Sequence, residues 1–336
     1  MIQVKHYMPK HEFGMYSLEK IFSDIRSVML ADINVDVQVS TFKSQGLWRR
    51  VFNMVEAVFH QGDVNHITGD VHFLTFLLKK QRTVLTILDC VGLGSLSEFK
   101  QWMLWFLWYW LPMHRVSYIT VISEATKQEL LSLLNYDPAK IKVIHCSVSD
   151  CFRADEQPFD TFCPRILQVG TRAHNKNIER VAIALAGINC IWSIIGTLSP
   201  SQIGIIERHG IDYENHVGLS EEALVEQYKL ADMLVFASTY EGFGLPIVEA
   251  NAVGRPVVTS NLCSMPEVAG RAACLVNPYD IESIRSGILR VIEDADYRAL
   301  LVKEGFLNVK RFRPVIIAEQ YAQLYRSCYA NLSRGL

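Results

Sequence analysis

Short apolar runs rich in Val, Ile and Thr alternate along this chain with longer segments of helical periodicity. Such runs are typical of strands buried on both faces, and their alternation with helices indicates parallel βαβ units. In the first half we predict strands at Ile2–His6, Val35–Ser40, Val64–Thr68, Thr83–Asp89, Ile119–Ile122 and Lys142–His145. In the second half we predict strands at Ile166–Gly170, Ile191–Gly196, His216–Gly218, Met233–Ala237, Val257–Ser260 and Cys274–Val276. The pattern predicts an α/β protein with two doubly wound, Rossmann-like parallel sheets.

The chain of 336 residues is long enough for two domains, since domains commonly have about 100 to 200 residues. A polar segment with two prolines and neither periodicity separates the two series of strands. We predict a first domain at residues 1–151, a linker at 152–165, a second domain at 166–313 and a helix at 314–336. Open parallel sheets bind ligands at the carboxyl ends of their strands, so we expect two sheets that face a cleft.

Composition excludes several classes of function. The chain has 33 Lys and Arg against 35 Asp and Glu, which leaves no broad basic surface for nucleic acid. Its eight cysteines are scattered without a CxxC pair, so we expect no metal site and no disulfide framework. The first residues lack an apolar leader segment, and we therefore expect a cytoplasmic protein.

The segment Asp232–Ala250, DMLVFASTYEGFGLPIVEA, has the pattern of a strand, a glycine turn and a helix. Gly244 lets the backbone approach a ligand closely, and Pro246 suits the first turn of a helix. The amides of Phe243, Gly244 and Leu245 would then lie at the positive end of that helix. This pattern predicts a binding site for a phosphate group.

Two carboxylates flank this turn, Glu241 before it and Glu249 one turn inside the helix. A carboxylate repels phosphate but accepts hydrogen bonds from sugar hydroxyls, so the combination favours a nucleotide sugar. The alternative is structural: Glu241 as a capping group and Glu249 as a solvated helix residue.

A second strand and turn, ILQVGTRAHNKNI at Ile166–Ile178, places Arg172 and Lys176 beyond the carboxyl end of the strand. Two cations at this position would bind a diphosphate and offset the charge on a departing nucleotide. The alternative is that both are ordinary solvated surface cations.

These motifs resemble glycosyltransferase family 4, the retaining nucleotide-sugar transferases of the GT-B fold. VGTRAHNKNIERV and STYEGFGLPIVEANAVGRPVVTSNLCSMPEVAG are similar to its carboxyl-terminal domain, and Glu241 and Glu249 match its E-x7-E pattern. In the first half DVNHIT, TVLTILD and TVISEATKQEL are similar to the acceptor domain. The resemblance implies sugar transfer from a nucleotide donor with no metal or other cofactor, and a final helix that packs back on the first domain.

Carried over to this sequence, the resemblance assigns Glu249 to the ribose hydroxyls and Glu241, as a catalytic residue, to the hydroxyls of the donor sugar. It assigns the diphosphate to the amides of 243–245 together with Arg172 and Lys176. The nucleotide would then bind to the second domain and the acceptor to the first.

Two further assignments depart from the family pattern. Asp89 falls where many members have a catalytic His-Asp pair, but Leu88 precedes it here. Gly14 lies in the first loop, where members often have two adjacent glycines near the donor phosphates, and it stands alone. From the residues themselves, His72 is a candidate contact for a sugar hydroxyl or a structural histidine.

The uncharged stretch QWMLWFLWYWLPM is too short to span a bilayer, which takes about 20 residues. Its aromatic part, Trp102–Trp110, suggests either contact with a membrane surface or a buried packing face.

The residues of these motifs are most similar to those of mannosyl and rhamnosyl transferases of surface polysaccharide assembly. This similarity favours GDP-mannose over UDP-sugars as the donor, and a glycan or a lipid-linked molecule as the acceptor. An epimerase, a phosphorylase or a non-catalytic nucleotide-sugar-binding subunit remain alternatives. A nicotinamide dehydrogenase is not favoured, since VGLGSLS at Val91–Ser97 lacks the third glycine and the later acidic residue. Asp294 and Asp296 suggest a metal-binding DxD less readily than a solvated helix end.

Overall fold

A computed structural model of the chain describes residues 1–10, 16–90, 102–103, 105–171 and 173–333. The chain folds into two compact units. One consists of Met1–Ser147 together with Pro314–Leu336, and the other of Val148–Arg313. The residues predicted as a linker, 152–165, thus lie in the second unit, and the final helix belongs to the first.

The first unit is built on a six-stranded parallel sheet. Its strands are Ile2–Met8 (β1), Ile33–Val39 (β2), Val64–Ile67 (β3), Thr83–Ile87 (β4), Tyr118–Val121 (β5) and Ile141–Val143 (β6). They lie in the order β2-β1-β3-β4-β5-β6, so the direction of winding reverses between β1 and β3. Every residue of β3 and β4 is buried, as expected for central strands covered on both faces.

The helices of this unit are Tyr16–Ser27 (α1), Leu47–Phe59 (α2), Leu111–His114 (α3), Glu124–Leu133 (α4) and, from the end of the chain, Pro314–Ser333 (α12). Short 3-10 turns lie at His72–Phe76, Lys80–Arg82 and Pro138–Lys140, and a π-helical turn at Trp105–Trp110. The start of α4 is fixed by Ser123, whose hydroxyl accepts a 3.0 Å hydrogen bond from the amide of Thr126.

The second unit contains another six-stranded parallel sheet. Its strands are Arg165–Val169 (β7), Ile191–Ile195 (β8), Asp212–His216 (β9), Met233–Phe236 (β10), Val257–Ser260 (β11) and Ala273–Val276 (β12). The order β12-β11-β10-β7-β8-β9 places the reversal of winding between β7 and β10.

The helices of the second unit are Ile178–Leu185 (α5), Pro200–Arg208 (α6), Glu221–Leu230 (α7), Leu245–Val253 (α8), Met265–Ala269 (α9), Ile281–Glu293 (α10) and Ala295–Asn308 (α11). Two 3-10 turns lie at His174–Lys176 and Val309–Phe312. Helix α6 begins with a capping box of Ser199 and Gln202. Helix α10 lies so close to β12 that a Cβ on Gly287 would be 2.5 Å from Val276, and only glycine fits there.

One predicted strand was displaced along the chain. We predicted His216–Gly218, whereas β9 is Asp212–His216. It forms the edge of the sheet, and three of its five residues are exposed. An exposed edge strand needs no apolar run, so the sequence DYENH gave no signal at the right place.

The segment predicted as a linker packs on the second unit. The amide of Asp155 donates to the carbonyl of Val253 at 3.1 Å, and its carboxylate pairs with the buried Arg255 at 2.9 Å. Further on, the carboxylate of Asp232 accepts from the amides of Asp160 and Arg165 at 3.0 and 2.7 Å. These bonds, rather than apolar periodicity, fix the segment, which is why the sequence pattern showed only a polar stretch.

A buried polar network joins α12 to the first sheet. The hydroxyl of Tyr325 lies 2.9 Å from Nε2 of His6 on β1 and 2.7 Å from Nδ1 of His66 on β3. Nε2 of His66 lies 2.7 Å from the hydroxyl of Thr86 on β4. Burial lowers the pKa of both imidazoles, that of His66 to about 3, so both stay neutral and act as hydrogen-bonding groups.

We predict that Tyr325→Phe destabilises the first unit, because it removes the only hydroxyl that bridges these two buried rings among the described residues. Each buried nitrogen left without a partner costs about 1–3 kcal/mol. Urea denaturation measures the change, with Tyr329→Phe on the exposed side of α12 as the control. Equal stability of the two variants would contradict the prediction.

Candidate functional site

The strongest candidate site lies in the second unit at the carboxyl ends of β7 and β10. The winding of the sheet reverses between these neighbouring strands, and at such a reversal a crevice is expected above the strand ends. The turn at His174–Lys176 follows β7, and the loop that leads to α8 follows β10. Both segments predicted to bind the donor therefore meet at one edge of the sheet.

Two asparagines tie the turn to the loop. Asn175 donates from Nδ2 to the carbonyl of Tyr240 at 2.6 Å, and its own carbonyl accepts from the amide of Thr239 at 2.8 Å. The buried Asn177 has a φ of 59° and donates from Nδ2 to the carbonyl of Ala237 at 2.9 Å. Sequence reasoning did not single out these residues, although the polar run HNKN directly after a buried strand was the available signal.

Lys176 and Glu241 form an ion pair at this junction, with Nζ 2.6 Å from Oε1. Both side chains are largely buried, and Nζ also lies 5.0 Å from the centre of the Phe236 ring. The lysine stem crosses Gly170 so closely that a Cβ there would be 2.9 Å from Cε. Since an ammonium has three donors, Lys176 can keep this pair and still donate to a phosphate.

The predicted phosphate cradle is the start of α8. Gly244 precedes the helix with a φ of 106°, and Pro246 lies in the first turn. The hydroxyl of Ser264, which sequence reasoning missed, lies 2.8 Å from the carbonyl of Glu241 and 2.7 Å from that of Phe243. The amides of Gly244 and Leu245 have no acceptor within the part of the chain that the structure describes. Donors of this kind at a helix start are suited to an anion.

The side chain of Phe243 is not available to a ligand. It is buried, and its ring packs edge-to-face on Phe312 with centroids 5.6 Å apart. Only its backbone is therefore a candidate for binding a ligand.

Glu249 lies within α8 and accepts a hydrogen bond of 2.5 Å from the hydroxyl of the buried Tyr228 on α7. Burial raises the pKa of Glu249 to about 7, and the bond from Tyr228 partly offsets that effect. A carboxyl group in such a site accepts well from a neutral hydroxyl, including a second hydroxyl from a ligand.

Three predicted features lie outside the described residues: Arg172, Gly14 and the turn at 91–97. The DxD alternative has a structural explanation, because Asp294 caps α11 and accepts a 2.9 Å bond from the amide of Tyr297. No cluster of three or more His, Cys, Asp or Glu side chains suited to a metal ion occurs among the residues that the structure describes.

The remaining candidates lie in the first unit. Asp89 follows β4 and is half-buried, and its carbonyl accepts a 3.4 Å bond from the hydroxyl of Tyr109. His72 lies in the turn that follows β3, with Nδ1 2.9 Å from the carbonyl of Trp108. Both residues are thus at the carboxyl edge of the first sheet, and Leu88 is half-buried beside Asp89.

Residues 154–307 match the family described as glycosyl transferases group 1. This part of the chain is therefore similar to glycosyl transferases group 1. The match contains the turn after β7, the loop after β10 and all of α8, so the predicted resemblance is confirmed on the segment that holds the candidate site.

Among curated relatives, the O-antigen chain mannosyltransferase B of Escherichia coli is 29% identical over 226 residues, which are 58% of this chain and 56% of that protein. The O-antigen chain mannosyltransferase RfbU of Salmonella typhimurium is 25% identical over 218 residues, or 60% of this chain and 59% of that protein. The chain thus spans little more than half the length of these relatives.

The similarity to solved structures extends over nearly the whole chain. HepE of Anabaena in complex with UDP and glucose has a TM-score of 0.77 at 17% identity and covers 97% of this chain and 100% of its own. WaaG, a glycosyltransferase of lipopolysaccharide biosynthesis, has a TM-score of 0.73 at 15% identity, with 96% and 99% covered. The predicted fold class, two doubly wound sheets of the GT-B type, is confirmed.

We predict that Glu249→Gln becomes more stable relative to the unchanged protein as the pH rises from about 5 to about 8.5. The folded carboxyl titrates at about 7 and the unfolded one at its lower usual value, so the native state binds more protons in this range. The unchanged protein therefore loses stability as the pH rises and Glu249 ionises. The Glu249→Gln variant does not, because glutamine does not ionise. Melting temperatures across this range measure the effect.

The exposed Glu282→Gln variant controls for the loss of one negative charge. A difference in melting temperature between Glu249→Gln and the unchanged protein that does not vary with pH would argue against a buried, titrating carboxyl.

Proposed function

We propose that the protein is a retaining glycosyltransferase that moves a mannose-like hexose from a nucleotide-diphosphate sugar to a glycan or lipid-linked acceptor, in the biosynthesis of polysaccharide or lipopolysaccharide. The observation that carries this proposal is the Lys176–Glu241 pair beside the first turn of α8. A cation, helix-start amides and a carboxylate in one crevice match a diphosphate joined to a sugar.

In this proposal the donor diphosphate binds to the amides of Gly244 and Leu245 and to Nζ of Lys176, with Arg172 as a second cation. Glu249 accepts from the ribose hydroxyls, and Glu241 from the hydroxyls of the sugar. The crevice holds these groups in place before the donor arrives, so binding does not require them to be reorganised.

The proposed reaction breaks the bond between the anomeric carbon and the diphosphate, and forms a bond from the acceptor oxygen on the same face. The proton of the acceptor hydroxyl passes to the departing phosphate, and no side chain is assigned as a base. Negative charge develops on the leaving oxygen, where Lys176 and the amides stabilise it without a metal ion. Asp89, in the first unit, is proposed to orient the acceptor.

The proposed donor is GDP-mannose. Relatives from Escherichia coli and Salmonella typhimurium are both described as mannosyltransferases, and so is an MMP α-(1→4)-mannosyltransferase of Mycolicibacterium hassiacum that is 39% identical over 120 residues. The structural neighbour HepE binds UDP and glucose, so a UDP-sugar is the alternative. Either donor is compatible with the proposed contacts, because the phosphate and ribose contacts do not involve the base.

We predict that the protein transfers sugar from GDP-mannose more efficiently than from UDP-sugars. We also predict that Lys176→Ala lowers transfer by about 100-fold, because one preorganised charge is lost. The measurement follows both nucleotide release and the glycosylated product across a donor panel. Lys303→Ala, an exposed lysine of the same unit, is the control.

An epimerase would alter the sugar without joining it to an acceptor, and a phosphorylase would require phosphate or a sugar phosphate. A binding subunit would show donor-dependent thermal stabilisation, about 2.7 kcal/mol at 100 times the dissociation constant, without turnover. Unchanged transfer by Lys176→Ala would exclude the proposed site even if the reaction is correct.

We also propose that the protein acts in the cytoplasm and touches the inner face of the membrane through the first unit. In the Trp102–Trp110 region, Trp102 and Leu107 are 56% and 41% exposed, while on α2 the side chains of Trp48 and Phe52 are 84% and 50% exposed. Within the described part of the chain, no helix combines the length and apolar character needed to cross a bilayer. Exposed aromatic side chains on short helices are typical of interfacial contact.

The other tryptophans of this stretch, Trp105, Trp108 and Trp110, are half-buried. Trp105 donates from Nε1 to the carbonyl of Leu133 at 3.2 Å, and Trp108 donates to Asp70 at 2.9 Å. The membrane proposal therefore concerns Trp102 and Leu107, and not the whole stretch.

We predict that the double variant Trp48→Glu and Trp102→Glu binds vesicles of phosphatidylethanolamine and phosphatidylglycerol at least about tenfold more weakly than the unchanged protein in a sedimentation assay. Each of the two substitutions removes a large apolar contact with the lipid. Phe162→Glu, which changes an 82% exposed phenylalanine of the second unit, is the control. The proposal fails if the unchanged protein does not sediment with the vesicles.

A further inference from the structure

The first unit has a group of polar side chains beside Trp108 and Tyr109. It comprises Asp70 and His72, which follow β3, and Asp89, which follows β4. These neighbouring strands end at the same edge of the sheet, so the three side chains are directed to one region.

Trp108 holds His72 in one tautomer. The backbone carbonyl of Trp108 can only accept, so Nδ1 of His72, 2.9 Å away, carries the proton. The lone pair therefore lies on Nε2, for which the described residues provide no partner, although the ring is only 5% exposed. Burial lowers the pKa of the imidazole, which keeps it neutral and able to accept a hydrogen bond.

The same tryptophan holds Asp70 through its side chain. Its Nε1 donates to Oδ1 of Asp70 at 2.9 Å, and the second carboxylate oxygen has no partner among the described residues. The guanidinium of Arg50 lies 5.4 Å from the Trp108 ring and donates to the carbonyl of Ser44 at 2.8 Å. The indole is thus fixed by its neighbours and fixes two acceptors in turn.

Tyr109, the next residue, links this group to Asp89. Its ring centroid lies 6.2 Å from that of His72, and its hydroxyl is 3.4 Å from the carbonyl of Asp89. The imidazole and the carboxyl of Asp89 are close enough to interact electrostatically. The side chain of Leu88 offers no hydrogen-bonding group at this edge, whereas His72 brings an imidazole there from the turn after the neighbouring strand.

We propose that Asp70 and His72, held by Trp108, form the subsite for an uncharged terminal sugar of the acceptor, with a sugar hydroxyl donating to Nε2 of His72. This rests on the proposed function and specifies its acceptor. Two fixed acceptors suit a ligand that presents several hydroxyl donors. The nearby carboxylates repel a phosphorylated or carboxylated terminal sugar.

Two substitutions of His72 distinguish a role in sugar binding from a purely structural role. In His72→Asn the amide nitrogen takes the place of Nδ1 and keeps a donor for the Trp108 carbonyl, but the acceptor at Nε2 is lost. In His72→Gln the side-chain amide reaches the place of Nε2, but the bond to the carbonyl is lost. If His72 is purely structural, the kinetic defect is smaller in His72→Asn than in His72→Gln, because asparagine keeps the bond to Trp108. If His72 binds the sugar, the defect is smaller in His72→Gln.

We expect His72→Asn to raise the KM for a mannoside acceptor about 10-fold, the effect of one hydrogen bond, while the KM for the donor stays within about twofold. His72→Gln should recover part of the acceptor affinity. Melting temperatures report any folding defect. An unchanged acceptor KM in His72→Asn, or equal increases in both KM values, would overturn the proposal.

A donor-free measurement distinguishes failure of this inference from failure of the proposed function. Binding of methyl α-mannoside and of mannose 6-phosphate is followed by ligand-observed NMR. We expect the neutral sugar to bind, the phosphorylated sugar to bind more weakly, and His72→Asn to lose the neutral sugar. Binding of neither sugar, or preference for the phosphate, would exclude the subsite. Loss of donor transfer with binding retained would contradict only the proposed reaction.

Discussion

The hydrogen bonds of Asn175 and Asn177 across the ends of β7 and β10 determine the candidate donor site. Without them, the turn that carries Lys176 and the loop that carries Glu241 would be two separate surface segments. The asparagine bonds reach backbone carbonyls, so they fix the path of the chain and not only the side chains. The Lys176–Glu241 pair then forms at 2.6 Å without having to order either loop by itself.

Much of the fold followed from apolar runs. Strands such as Thr83–Ile87 and Met233–Phe236 are buried at every position, so hydrophobicity alone marks them. The edge strand Asp212–His216 is mostly exposed and was predicted too late in the chain. Residues 152–165 lacked a periodic pattern because their attachment to the second unit depends on Asp155 and Asp232, whose partners lie far away in sequence.

In the candidate site too, some residues can be predicted from the local sequence pattern and others cannot. The glycine turn, Pro246 and the two glutamates have a local pattern that could be found in the sequence. The partner of Glu249, in contrast, is Tyr228 on another helix, and Ser264 reaches the loop from beyond β11. The alignment of His72 with Trp108 joins residues 36 positions apart. Contacts between side chains at such separations depend on the packing of whole elements, which periodicity does not specify.

The first unit is assembled from both ends of the chain, with Tyr325 bonded to His6 and His66. The second unit is a continuous stretch and can acquire its core as soon as residue 313 has been synthesised. During translation, by contrast, the strands of the first unit leave the ribosome early, and Nε2 of His6 and Nδ1 of His66 lack their partner until Tyr325 has been synthesised. The first unit is therefore completed only when α12 has been synthesised, after every residue of the second unit.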